Sequence, residues 1–186
     1  MSGWLVLAAV WWLAAREIKG GATVLLVTEG LTVMLILVVA AITLGKVIAG
    51  HTPGGQHLDM SVFSVAPPGT SVSTVFLGIV FGFLSFAGFE AAATLGEETE
   101  APRRNIPRAI LGTALFGGMF FVTVTAIEMM AFGTDSAGVA AFAKSDALMG
   151  DIAEQYVAPW LSYVIVVGAT FSAAACCLAS VWVRAG

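Results

Sequence analysis

The stretch VFLGIVFGFLSFAGFEAAATLG, residues 75–96, decides the fold class. It contains one charged side chain, Glu90, and it is long enough for a helix to cross about 30 Å of hydrocarbon, which takes roughly 20 apolar residues. The whole 186-residue chain is similar, with 59% hydrophobic and 11% charged residues, whereas a soluble domain carries about 25% charged residues. This composition excludes a soluble enzyme and a disordered segment. It predicts an all-α integral membrane protein.

Three further stretches have the same length and character. They cover residues 24–44, 109–132 and 157–183, and together with 75–96 they predict four full transmembrane helices. Residues 3–15 are apolar but too short to span a bilayer, and they lack the basic start of a signal peptide. We interpret them as a partial helix whose beginning lies outside this chain.

The distribution of lysine and arginine predicts the orientation, because these residues concentrate on the cytoplasmic side. If the helices alternate in direction, one side holds Arg16, Lys19, Arg103, Arg104, Arg108 and Arg184, and the other holds only Lys46 and Lys144. We therefore expect a cytoplasmic loop at 97–108 and external segments at 45–74 and 133–156. This describes a multi-pass protein of the plasma (inner) membrane. The net charge of −4 argues against a nucleic acid partner.

Glu90 is the strongest candidate for a functional side chain. An ionised carboxylate near the middle of a span costs about 2.5–3.5 kcal/mol and needs compensation. It either serves a substrate or proton site, or it joins two helices by hydrogen bonds. Gly88, two residues earlier, is typical of an interrupted membrane helix. The neighbouring Gly78 and Gly82 form a G-x-x-x-G pattern that favours plain helix packing, so both interpretations stay open.

The other ionisable residues give weaker signals. Glu29 lies near the start of its helix, where the helix dipole favours a carboxylate, and we expect Glu128 to extend to interfacial water near the end of its helix. His51, His57 and Asp59 stand in a glycine-rich loop without metal-ligand spacing. No catalytic, metal or cofactor motif is present in the sequence, so we expect neither an enzyme nor a cofactor.

The polar stretch EETEAPRRNIPRAI follows the second full span. We expect Asn105 to cap the next helix and Pro107 to occupy its first turn. The charged residues that would form ion pairs in this loop are Glu97, Glu98, Arg103, Arg104 and Arg108. The loop is either a solvated cytoplasmic connection or a latch whose ion pairs differ between conformations.

Residues 83–110, FLSFAGFEAAATLGEETEAPRRNIPRAI, resemble the most distinctive stretch of the amino acid–polyamine–organocation superfamily of permeases. That stretch covers the sixth helix of the family and the loop after it. Residues 11–44 resemble the end of the fourth helix and the fifth, and residues 157–180 resemble the eighth. The resemblance covers essentially the whole chain.

The resemblance implies a leucine-transporter-like fold of about twelve helices with two inverted repeats. Substrate would lie between interrupted first and sixth helices. The implied substrate site consists of Leu84, Ser85, Phe86, Ala87, Gly88, Phe89 and Glu90. In it, carbonyls of residues 84–87 bind the substrate ammonium, Gly88 provides the break and Glu90 supports the site. Phe86 and Phe89 are candidates for gating or for contact with the substrate side chain.

The expected function is therefore secondary active transport of amino acids or related amines, coupled to protons or sodium. Only helices four to eight are matched, so we expect the chain to be incompetent alone and to need the missing permease helices or another copy. The alternative is a truncated, non-transporting membrane protein or a subunit that only packs with other helices. A channel is a third hypothesis, which no ring of like charges supports.

Overall fold

The computed structural model of the chain describes residues 21–64, 71–85 and 101–185. Within these ranges the chain is helical, with turns and extended segments between the helices. The α-helices are α1 (Gly21–Ile48), α2 (Val72–Ser85), α3 (Pro102–Phe132), α4 (Ser136–Lys144), α5 (Leu148–Tyr156) and α6 (Pro159–Ala185), and a short 3-10 helix covers Met60–Phe63. The predicted partial helix at 3–15 lies outside the described residues.

Two of these helices are long and apolar enough to cross a membrane by length and composition. They are Leu26–Ile48 within α1, with a mean hydropathy of 2.5, and α3, with 2.0. The described apolar parts of α2 and α6 are shorter, at Val72–Leu84 and Pro159–Ala173. Large apolar side chains on these helices are exposed, which is expected where lipid rather than water covers the surface.

The start of α3 corrects the prediction from the sequence. The helix begins at Pro102 and not at 109, so the second half of the predicted loop 97–108 is helical, and Pro107 lies inside the helix. A proline disfavours helical geometry in the residue before it, and its own fixed φ suits the first helical position. Ala101, the residue before Pro102, has a φ of +49°, and its carbonyl accepts hydrogen bonds from the N–H groups of Arg104 and Asn105.

The chain divides into two compact units, one of residues 59–126 and one of residues 1–58 and 127–186. In the first of these units, the side chains of Asp59 and Ser71 cap the beginnings of helices. The Asp59 carboxylate accepts the Ser61 N–H at 2.9 Å, and the Ser71 hydroxyl accepts the Thr74 N–H at 3.2 Å. Along α3, the rings of Phe116 and Phe120 stack with centroids 6.1 Å apart.

In the other unit α1, α5 and α6 pack against one another. The buried face of α1 recurs every three to four residues, as one side of a helix requires. Its buried side chains, together with those of α5 and α6, are Val39, Ala40, Thr43, Val47, Met149, Ile152, Ala153, Tyr156, Leu161 and Ile165. Close approach of α1 and α6 continues at Gly168, where an added Cβ atom would lie 3.2 Å from the Thr32 hydroxyl oxygen. Glycine therefore lets the two backbones come together.

Tyr156 joins three helix ends in this unit. Its side chain is almost fully buried, and its hydroxyl donates to the carbonyl of Ala131, in the last turn of α3, at 2.8 Å. The backbone carbonyl of Tyr156 accepts a hydrogen bond from the ammonium of Lys46, in the last turn of α1. Carbonyls in the last turn of a helix lack partners within the helix, so these two bonds satisfy groups that burial would otherwise penalise.

The Tyr156 hydroxyl also approaches the side-chain oxygen of Gln56 at 3.3 Å, which holds the loop after α1 against the same point. Burial raises the pKa of the Tyr156 phenol above its ordinary value. The hydroxyl therefore stays protonated, and able to donate, throughout the physiological pH range.

We predict that Tyr156→Phe lowers the free energy of unfolding by about 1–2 kcal/mol, because it leaves the Ala131 carbonyl without this donor. The measurement is reversible unfolding of the detergent-solubilised chain by dodecyl sulfate. The loss should be the same at all pH values below about 9, since the phenol is neutral there. Tyr163→Phe is the control, because the Tyr163 side chain is 75% exposed. Equal losses in both variants would contradict the assignment.

Candidate functional site

The substrate segment predicted from the sequence, residues 84–90, is described only at its beginning. Leu84 and Ser85 are the last residues of α2, and the Leu84 side chain is 62% exposed. Phe86, Ala87, Gly88, Phe89 and Glu90 lie outside the described residues. Side chains of residues 72–84 of α2 are exposed, apart from the half-buried Val75. This helix therefore presents apolar surface on all sides, which suits contact with lipid or with other helices.

The predicted ion pairs after this segment are also described on one side only. Glu97 and Glu98 lie outside the described residues. Arg103, Arg104 and Arg108 are exposed on the first two turns of α3. Cations are disfavoured at a helix N-terminus, so these arginines gain from any carboxylate that reaches them. Their pairing with Glu97 and Glu98 stays a prediction.

Glu29 has a partner that the sequence did not indicate. Ser172, on α6, donates a hydrogen bond from its hydroxyl to a Glu29 carboxylate oxygen at 2.6 Å. One turn further along α1 stands Thr32, which faces Gly168, one turn back along α6. The two helices therefore run antiparallel here, and Glu29 sits at the seam between them. The helix dipole alone, which was our expectation, does not account for its environment.

Glu128 differs from the expectation as well. Its side chain is only 8% exposed, so it does not extend to an aqueous interface. Its neighbours along α3 are apolar and buried, among them Val124, Ile127 and Ala131. The sequence prediction was wrong because helical position gives the depth of a residue but not which face the neighbouring segments cover.

A cleft opens beside Tyr156, between the loop after α1 and the end of α3. Its volume is about 220 Å³, and it is lined by Gly54, Gly55, Gln56, His57, Met130, Phe132, Gly133, Thr134 and Asp135. Gly133 has a φ of +102°, which ends α3 and turns the chain towards α4. The Asp135 carboxylate accepts the Gly138 N–H at 3.1 Å and so caps α4. From the sequence, His57 stands in a loop without metal-ligand spacing, and nothing in the local sequence indicates Gln56 or Asp135 as a binding residue.

The comparisons with known proteins identify the class. Among the described residues, two helices are long and apolar enough to cross a membrane. The sequence profile of the amino acid permease family matches residues 5–184. The chain belongs to the amino acid permease family.

Two transporters of Escherichia coli are similar to this chain in sequence. The chain is 37% identical over 94 residues to the low-affinity putrescine importer PlaP of Escherichia coli K12, an alignment that covers 50% of this chain and 21% of the relative. It is 28% identical over 160 residues to the L-methionine/branched-chain amino acid exporter YjeH of the same strain, covering 85% of this chain and 35% of the relative. The chain thus spans about a fifth to a third of these relatives. No solved structure matches it significantly.

We predict that the Glu29–Ser172 bond couples α1 to α6 energetically. A double-mutant cycle of Glu29→Ala and Ser172→Ala should give an interaction energy of about 0.5–1.5 kcal/mol for unfolding in detergent. Thr170→Ala is the matched control, because the Thr170 hydroxyl donates to the Val166 carbonyl of its own helix. A cycle of Glu29→Ala with Thr170→Ala should give no interaction energy. The same value from both cycles would refute the contact.

Proposed function

We propose that these residues form part of a secondary active transporter that moves amino acids or related amines across the plasma (inner) membrane by alternating access. The observation that carries the proposal is the match to the amino acid permease family over residues 5–184. The names of the two relatives support the substrate class, since one imports a diamine and the other exports amino acids. The two relatives differ in the direction of transport and in substrate, so their names support only the substrate class, amino acids and related amines.

The proposed topology has four full spans and a partial one in an inverted-repeat, leucine-transporter-like arrangement. The apolar lengths of α1 and α3 support it, as does the antiparallel seam of α1 and α6. In such a fold each repeat cannot complete a site alone. Because the chain spans only about a fifth to a third of its relatives, we infer that transport needs further permease helices or another copy.

The proposed substrate site is the segment Leu84–Glu90. If the helix is interrupted at Gly88, the carbonyls of residues 84–87 lose their partners within the helix and become acceptors for an ammonium group. Phe86 and Phe89 would line or gate the site, and Glu90 would support it electrostatically. A proton or a sodium ion is the proposed coupling partner.

The alternative function is that of a non-transporting, truncated protein or a subunit that only packs with other helices. The exposed apolar surface of α2 suits this role equally well, because it serves any helical partner. Transport measurements separate the two.

The topology makes a direct prediction. A cysteine introduced as Thr99→Cys should react with a membrane-impermeant maleimide only after the cells are opened, and His51→Cys should react in intact cells. The six-to-two distribution of lysine and arginine is the reason. Thr99→Cys labelled from outside would invert the proposed orientation.

The substrate site makes a second prediction, tested in the transporter of which these residues form part. Gly88→Leu should reduce radiolabelled amino acid or amine uptake by at least about tenfold, because a bulky side chain fills space next to the proposed carbonyls. Glu90→Gln should abolish uptake or change its pH dependence if the carboxylate carries charge or a proton. It should be nearly silent if Glu90 is a hydrogen-bonding strut.

Uptake is normalised to the amount of protein in the membrane, and Gly82→Leu serves as the control, since an added Cβ atom at Gly82 meets open space. Liposomes that contain only the 186-residue chain should show no saturable uptake. Normal uptake in both Gly88→Leu and Glu90→Gln would remove the site assignment, and loss in Gly82→Leu to the same extent would indicate general packing damage.

A further inference from the structure

The cleft beside Tyr156 is bounded by two walls that other contacts hold in place. On the loop side, the Gln56 side-chain oxygen accepts the Gly54 N–H at 3.0 Å, and the Gln56 carbonyl accepts the Thr52 hydroxyl at 2.8 Å. On the helix side, Gly133 donates its N–H to the carbonyl of Met129 at 3.0 Å. The Tyr156 hydroxyl bridges the walls by bonding to Ala131 and approaching Gln56. The cleft therefore exists before any ligand arrives.

The charges around the cleft favour a cation. Its helix wall is the C-terminal end of α3, where the helix dipole concentrates partial negative charge on the carbonyls. Asp135 adds a full negative charge at the rim, and the hydrogen bond from Gly138 engages only one of its two oxygens. Residues 45–58 and 133–156, which belong to the same unit as the cleft, together hold four carboxylates and two lysines, so the surrounding sequence is acidic. The ammonium of one of those lysines, Lys46, is bonded to the Tyr156 carbonyl.

The size and lining of the cleft restrict the cation further. Phe132, which is half-buried, provides an apolar surface at the cleft, which a hydrated metal ion does not use and an alkyl chain does, whereas Met130 is buried, with 4% of its surface exposed. A volume of about 220 Å³ lies below the roughly 300–1,000 Å³ of pockets for drug-sized ligands. A short alkyl chain that ends in an ammonium group satisfies both conditions.

We propose that this cleft is a binding site for small alkylammonium ions, separate from the substrate segment Leu84–Glu90. Asp135 and the carbonyl end of α3 attract the ammonium group, and Phe132 contacts the alkyl chain. Every residue named for this site lies within the described part of the chain. Binding to it can therefore be measured without any transport activity. Its failure is therefore distinguishable from failure of the proposed function.

The test uses the full 186-residue chain in nanodiscs of uncharged phosphatidylcholine, labelled with ¹³C at the methionine methyl groups. The probe is n-butylammonium, and the reporter is the methyl resonance of Met130, assigned with Met130→Leu. We expect a saturable shift of this resonance. Asp135→Asn should weaken binding by about fivefold, which corresponds to the upper range for an exposed ion pair. Asparagine is chosen because it also caps a helix, so α4 keeps its N-cap.

Glu154→Gln is the matched control, because Glu154 is exposed and lies outside the cleft lining while its loss changes the net charge equally. It should bind n-butylammonium as the unmodified chain does. His57→Lys, which places a positive charge at the exposed rim, should weaken binding as Asp135→Asn does, and butan-1-ol should cause no saturable shift. No shift with n-butylammonium, or equal weakening by Asp135→Asn and Glu154→Gln, would overturn the proposal.

Discussion

The two oxygens of Tyr156 hold together the helix ends of one of the two compact units. The phenol oxygen donates to the last turn of α3, and the backbone carbonyl receives the Lys46 ammonium from the last turn of α1. The ends of two helices thus meet at one buried residue, which itself ends a third, the short helix α5. Because helix ends carry carbonyls without internal partners, burying them requires donors from elsewhere in the chain. If the donors are removed, the buried carbonyls are left without hydrogen bonds, and apolar packing does not compensate for the lost free energy.

The cleft is a consequence of the same interaction. Gln56 is fixed between the Gly54 N–H and the Tyr156 hydroxyl, and its Cγ would lie 3.8 Å from a Cβ added at Gly133, so the loop after α1 meets the turn at Gly133 through this side chain. The space left between them has a carboxylate at its rim and a helix C-terminus in its wall. A contact that satisfies backbone carbonyls therefore also shapes a concave surface with negative potential.

Near the beginning of α1, a close backbone approach and a hydrogen bond between side chains hold this helix against α6. Lipid removes the hydrophobic driving force between membrane helices, so close contact and hydrogen bonds must hold them. Gly168 allows Thr32 to approach, and one turn away Ser172 donates to Glu29. A small residue and an interhelical hydrogen bond thus occur together. Glu29, an exposed ionisable residue of α1, is thereby bonded to α6.

The sequence by itself determined the membrane class, the family and the approximate position of the apolar helices, because composition and apolar length are local properties. It placed the start of α3 wrongly, since it gave Pro107 the role that Pro102 has. The residues of the proposed substrate segment and their resemblance to the family are local features of the sequence, and the geometry of this segment beyond Ser85 stays a prediction.

Only the tertiary structure decided the partners of the polar groups. Ser172 lies 143 positions from Glu29, and nothing in either local sequence indicates that they meet. Glu128 was expected to reach water and is buried, because the faces of a helix are covered by segments that local periodicity does not specify. The cleft likewise depends on residues from a loop and a helix end far apart in the chain. Hydrogen-bond partners and concave surfaces arise when distant segments pack, and packing is a property of the folded chain.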